Sequence, residues 1–392
     1  MTDLTADLLA RVARIAPLIR EQAGASDEHR RVSDAVYDAM LDQGLFSLFV
    51  PRARGGLEVH PVTACKVWEA VARLDSAASW NLSQANGGLG MVPYLPDAGA
   101  ERIFSVGPQP IFAGVGFPPA QAVRADGGYR LTGRVAYGSG CLRADWIFLF
   151  FLNMTGGAPE MNPATGMPVV RVGFFPRSAV QLHDTWHTMG MRGTGSNDIS
   201  VEDVFVPDDL TAIPNPKAAM ASGFAGPLYR LGPWPVIHGE ATSSLGIAGA
   251  MIELLMELAA GKTPAGTKTV LRDKEMVQSN LGKARAAVDS ARAYLHQSAT
   301  DAFAQVSDGS ILNRPSKMAL QLAACNASES AARAVDLMWE SAGGTAIWLD
   351  QGFERHFRDV HVTTQHAQKS PARYISVGRM MLGLEPDAPI LA

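Results

Sequence analysis

The stretch "MGMRGTGSNDISVEDVFVP", residues 189–207, decides how this chain is read. Its first half is a glycine-rich turn. From Asn197 onward it is a short run rich in Ile, Val and Phe, closed by Pro207, which is the pattern of a β-strand. The "MRGTGSND" portion is either a plain β-turn or a nest of backbone N–H groups for an anion.

Working outward, the neighbouring segments are also β-rich. "QPIFAGVGFP", "AQAVRADGGYRLTGRVAYGSG", "ADWIFLFFLN" and "PVVRVGFFPRSAVQLHD" are short runs separated by Gly, Pro and Asn/Asp turns. "ADGGY" between two alternating runs predicts a hairpin. A middle β-domain, barrel or sandwich, is expected over 108–214.

Helical periodicity flanks it on both sides. Before it, over 1–107, "DLLARVARIAPLIRE" and "SDEHRRVSDAVYDAMLDQGLF" repeat apolar residues at three and four, the second opened by a Ser26 cap and closed near Gly44. "VTACKVWEAVARLD" is a further helix, and the small-residue segment "SAASWNLSQANGGLGMV" reads as buried. After it, a Pro/Gly-rich connector leads into three long helices and two shorter ones, a four-helix bundle over 215–392.

The bulk composition narrows the function. The 392 residues carry a net charge of -4, which supplies no global attraction to nucleic acid or anionic membrane. Charged residues are 18% and apolar ones 47% of the chain, so part of the outer surface is expected to be covered by other copies of it. The 3 cysteines form no Cys-x-x-Cys pair and fit a reducing compartment. The N-terminus reads as an amphipathic helix rather than a signal peptide, and no segment reads as a membrane span. A soluble cytoplasmic protein is expected.

Motif chemistry is mostly exclusion. There is no G-x-G-x-x-G after a strand, no P-loop and no G-x-S-x-G elbow. In "ERHFRDVHVTTQHAQKSPARY", residues 354–374, His356, His361 and His366 recur at a spacing of five. On a helix that spacing turns each imidazole about 140° from the last, whereas a helical metal pair sits three or four apart. No metal site is expected.

The order helices, β, bundle resembles the acyl-CoA dehydrogenase superfamily of flavoproteins, an α+β architecture. Residues 189–207 resemble its middle-domain signature, "GLFSLFVPRARGGLEV" (44–59) its N-terminal turn, and "SAGGTAIWLDQGFERHFRDVH" (341–361) its C-terminal run. The resemblance implies a flavin between β-domain and bundle, in a homotetramer. "YGSGCLRADW" (137–146) is similar to the family segment that meets the flavin, which puts Tyr137 against the ring face and Ser139 at flavin N5. Gly140, Trp186, Arg192, Thr194, Ser196, Gly343 and Gly344 fall at further cofactor-contacting positions. Tyr137 and Ser139 also read as an ordinary strand aromatic and a turn residue, and Trp186 equally as a core aromatic.

Departures from the dehydrogenase pattern shift the implied activity. The slot for the family's proton-abstracting Glu falls on His366-Ala367-Gln368, and Ala367 can abstract nothing. The alternative acids Glu253 and Glu257 read as solvated. The T-E-P-x-x-G-S-D and R-x-x-F-G elements are absent, so a tightly held FAD is not expected. "RDVHVTTQHAQKSPARYISVGRMMLG" resembles instead the two-component flavin monooxygenases that hydroxylate phenols and related aromatics.

That branch implies reduced FMN or FAD from a separate reductase, dioxygen, and transfer through a flavin C4a-hydroperoxide to a small aromatic substrate. His366 would deprotonate the substrate and Ser139 would hold N5–H. His356 and His361 are read as structural. The substrate pocket is expected from residues 84–92, 112–118 and 215–236. A dehydrogenase or oxidase with bound FAD, and a non-catalytic scaffold, remain as alternatives.

Overall fold

A computed structural model describes residues 2–163, 165–215 and 218–391, with Thr2, Val115, Phe117 and Pro389 described by backbone only. Pro216 and Lys217, inside the expected pocket-lining connector, lie outside the described residues, as do the side chains of Val115 and Phe117.

The first third is helical: α1 (Thr2–Glu28), α2 (Asp34–Asp42), α3 (Pro61–Ala72), α4 (Ser76–Gly88) and α5 (Asp97–Phe104). Ser26 is not a cap, because α1 runs on through it. Ser33 caps α2 instead, accepting from the Val36 N–H. Of the two serines in "SDEHRRVS", the second directly precedes the apolar face of α2. Asp75 caps α4, accepting from Ala77 and Ala78. The small residues of α4 bury it almost completely, including Trp80.

A curled sheet follows, made of β1 (Phe112–Ala125), β2 (Gly128–Gly138), β3 (Trp146–Thr155), β4 (Ala158–Pro159), β5 (Val170–Pro176), β6 (Gln181–His183), β7 (Asn197–Pro207) and β8 (Thr211–Ala212). Its order is β6-β7-β2-β1-β3-β5-β8, with β4 on β3. The "ADGGY" hairpin forms as expected, Ala125 pairing with Gly128 around Gly127 at φ 71°. β1 runs parallel to β3, and its register shifts between Val115 and Ala120, where two prolines lack ladder donors.

The chain then forms α6 (Trp234–Gly261), α7 (Glu275–Val306), α8 (Arg314–Ala342), α9 (Phe353–Thr364) and α10 (Ala372–Met381). α6 lies at the centre, packed on α3, α4, α8 and α9. Its glycines permit this approach: a Cβ on Gly239 would stand 2.9 Å from Trp68 and Ser83. Contrary to the sequence expectation, α6 is long and apolar enough to cross a membrane. Its apolar surface is spent on the neighbouring helices instead.

Candidate active site

At the end of β2 the backbone of Tyr137 turns left-handed, φ 70°, and leaves the ring 68% exposed. An aromatic residue rarely adopts this conformation, and such strain persists where the surroundings impose it. Its ring meets Trp186 edge-on at 6.1 Å, and Trp186 donates its indole N–H to the Met191 carbonyl.

Two residues on, the Ser139 hydroxyl lies 2.7 Å from that of Ser196, which lies 2.7 Å from that of Thr194. The Gly140 N–H donates to the Thr194 carbonyl and so ties the strand end to the 189–196 turn. That turn is a short helical turn between left-handed Met191 and Gly195. The Thr194, Gly195 and Asn197 N–H groups are taken by Met191, Arg192 and Gly195 carbonyls, so the plain-turn reading holds for them over the anion nest.

The turn is pinned by α9. Asp359, buried, accepts from the Met191 N–H at 2.6 Å and from the Ser76 hydroxyl at 2.5 Å. Gly190 has to be glycine here, since a Cβ would sit 2.5 Å from the Arg358 carbonyl. Burial pushes the Asp359 carboxyl up to about 6, against the pull of its two donors.

His366 lies beyond α9, in the turn that follows Thr364, so the three histidines do not share one helix. Its Nδ1 stands 2.9 Å from Oε2 of Glu240, a buried residue in the middle of α6. The Gln368 N–H also approaches Nδ1, at 3.4 Å. A proton on Nδ1 faces the Glu240 carboxylate, whereas a bare Nδ1 accepts from Gln368; as the ring stands, Oε2 makes no hydrogen bond. Gln84 donates to the other Glu240 oxygen at 2.9 Å. Burial opposes ionisation of Glu240, but His366, Lys369 and Gln84 outweigh it and hold the carboxyl below its ordinary value.

Trp80 joins the two halves. Its ring meets His366 edge-on at 5.6 Å, and its indole N–H donates to the Ser139 hydroxyl at 3.1 Å. The ammonium of Lys369 lies 4.9 Å from the Trp80 ring centre and donates to the Glu240 carbonyl. Burial pushes Lys369 down to about 8.

Glu240 puts a carboxylate beside the imidazole, where the family's own slot offers Ala367. Trp80, Glu240 and Lys369 were not found from sequence. The usable signal was Glu240 itself, the lone formal charge between Arg230 and Glu253. Such a carboxylate in an apolar helix is buried and paired.

Other expected positions lie apart from this cluster. Arg192 turns to α1, donating to the Asp27 carbonyl, and to Thr188. Gly343 and Gly344 follow α8 near the start of α9, whose 12 residues span about 18 Å before His366 is reached. His356 is buried, with burial pushing it down to about 3, and His361 stands 2.9 Å from Asp336. Glu253 and Glu257 are exposed, Glu253 pairing with Arg73. Between 86–90 and 228–236 there is a cavity of about 20 Å³, where Val236 faces Gly87.

Residues 8–103 match the family model described as acyl-CoA dehydrogenase, N-terminal domain, and residues 238–371 that described as acyl-CoA dehydrogenase, C-terminal domain. Indole-3-acetate monooxygenase of Pseudomonas putida is 31% identical over 94% of this chain and 91% of its own length. The chain belongs to the acyl-CoA dehydrogenase superfamily, in its branch of flavin-dependent monooxygenases.

In this flavin-dependent monooxygenase branch, the oxygenase subunit HsaA of Mycobacterium tuberculosis is 26% identical over 97% of this chain and 96% of its own. The structure of XiaF from Streptomyces sp. in complex with FADH2 and glycerol superposes with a TM-score of 0.91 at 26% identity, covering 99% of this chain and 98% of that one. The residues present fit a flavin. An exposed Tyr137 ring flanked by Trp186 offers a face to a planar heterocycle, and Ser139 offers a hydroxyl beside it.

Proposed function

We propose that this chain is the oxygenase component of a two-component system, taking reduced FMN or FAD from a separate reductase and hydroxylating an aromatic or heteroaromatic ring. Reduced flavin, when bound, supplies the electrons that activate dioxygen, one oxygen atom going to substrate and the other to water. The observation that carries the reading is the His366–Glu240 contact. In the tautomer with its proton on Nδ1, the side that faces the Glu240 carboxylate, the imidazole keeps an Nε2 lone pair. That lone pair takes the proton of a phenol O–H or indole N–H and raises electron density at the ring carbon.

The same contact disfavours the dehydrogenase alternative. Among the described residues, the carboxylate beside His366 is that of Glu240, which holds Gln84 with one oxygen and faces the imidazole with the other, at a buried position. Tyr137 and Trp186 would cover a bound flavin, Ser139 would meet its N5, and Gly140, Thr194 and Ser196 shape the strand end that holds Ser139. Arg192, Gly343 and Gly344 would hold a flavin only away from its ring. The name of the Pseudomonas relative supports an indole or similar ring.

The exposed apolar residues Trp348, Leu349, Ile375 and Leu382 support self-association, as a homotetramer. The three free cysteines, all buried, fit the cytoplasm. We take the functional units as 1–107, 108–214 and 215–392.

The test is anaerobic titration with reduced FMN and FAD, then an oxygen pulse with a panel of phenols and indoles. A product carrying one atom from labelled dioxygen is expected. Reoxidation that yields only hydrogen peroxide with every ring would overturn the proposal.

A further inference from the structure

The hydroxyls beside Tyr137 form a chain with a defined proton direction. The Thr194 hydroxyl lies 2.8 Å from the Met191 carbonyl, which can only accept, so its single hydrogen is committed there. At 2.7 Å from Ser196, Thr194 therefore accepts from Ser196. Ser196, its hydrogen spent, accepts in turn from Ser139, also at 2.7 Å. Ser196 and Thr194 are 3% and 2% exposed, so water does not compete for these protons. Trp80 fills one Ser139 lone pair with its indole N–H. What remains to Ser139 is one lone pair on a partly exposed face.

We propose that the Thr194–Ser196–Ser139 chain makes Ser139 an obligate hydrogen-bond acceptor, and that this selects reduced over oxidised flavin. The proposal rests on the reading of Ser139 as the hydroxyl that faces flavin N5. Reduced flavin carries a hydrogen on N5 and donates to a bare lone pair. Oxidised flavin has an unprotonated N5, itself an acceptor, and meets that lone pair with repulsion. A free serine hydroxyl would rotate to satisfy either form. Here the Met191 carbonyl, two hydroxyls away, removes that freedom. Thr194 and Ser196 are thereby positioning residues, acting through Ser139.

The experiment is anaerobic binding of reduced and oxidised FMN and FAD to the whole protein, read as the ratio of the two dissociation constants. The wild type is expected to favour reduced flavin. Ser196→Ala deletes the acceptor of the Ser139 proton. Thr194→Val, nearly isosteric, deletes the acceptor of the Ser196 proton, so that Ser196 turns to donate to Ser139. Each frees the Ser139 hydrogen, and each is expected to reduce the ratio about tenfold, the value of one hydrogen bond. Adding Thr194→Val to Ser139→Ala should then change nothing further.

A wild-type preference that survives both single substitutions overturns the chain while leaving the flavin reading intact. A wild type with equal affinity for both redox forms does the same. Failure of the wild type to bind any flavin overturns both. If Thr194→Val does not fold, Ser196→Ala decides alone.

Discussion

Nδ1 of His366 lies 2.9 Å from Oε2 of Glu240, joining the turn after α9 to the buried middle of α6. Oε2 makes no hydrogen bond, so the electrostatic attraction across this contact is what offsets the cost of burying that oxygen. Glu240→Gln keeps the shape and removes the charge. Without it the imidazole loses the carboxylate that faces Nδ1, and kcat/KM for hydroxylation is expected to fall about 10–100-fold. His366→Ala is expected to lose about 10²–10⁴-fold, the range of a general base. Flavin oxidation should continue in both variants with more hydrogen peroxide released per turnover, which a peroxide assay beside product analysis would detect.

Lys369 gives a stability prediction with a defined sign. Burial pushes its ammonium down to about 8 from an ordinary 10.5. Between those two values the unfolded chain holds a proton that the folded protein has released. Stability from this group therefore rises with pH across that window and is level below it. Denaturant titrations at pH 7, 8, 9 and 10 should show that slope in the wild type. Lys369→Met should remove it, whatever its effect on absolute stability.

Much of this architecture is legible in the residues. The β-runs around 189–207 and the "ADGGY" hairpin carry local turn chemistry that tertiary context does not override. Boundaries are less legible: Ser26 and Ser33 both look like caps, and only the packing of α1 decides between them. At the site, His366 is findable because it follows a recognisable run. Trp80, Glu240 and Lys369 are not, because each comes from a different segment and acquires its role only when α4, α6 and the post-α9 turn meet. Membrane character misleads for the same reason: α6 is apolar because it is surrounded by protein.

Asp359 holds the turn that carries Thr194 and Ser196. Asp359→Ala would leave the buried Met191 N–H without its acceptor, at a cost of about 1–3 kcal/mol. Weaker binding of reduced flavin should accompany the loss, as the 191–196 turn loosens. Asp359→Asn retains an acceptor oxygen and should restore most of both. The wild type carries a further signature, because burial pushes Asp359 up from 3.8 to about 6. Between these values the folded protein holds a proton the unfolded chain has lost. Its contribution to stability therefore falls as pH rises through that window, a slope that Asp359→Asn should abolish.

The exposed apolar residues after α8 and around α10 make the last prediction. Leu349 and Leu382 are each 81% exposed, Trp348 and Ile375 each 65%. Single exposed apolar side chains need no explanation, but large ones exposed this far on two segments are surface that association buries. Gly343 and Gly344 adjoin the first segment, far along α9 from His366. Contact of these glycines with a flavin would thus come from one copy reaching another's cofactor. Leu349→Asp combined with Leu382→Asp is expected to reduce the mass in light scattering toward that of one chain. Flavin affinity should drop in parallel, while the far-ultraviolet circular dichroism stays native. An unchanged mass would remove this surface from the assembly.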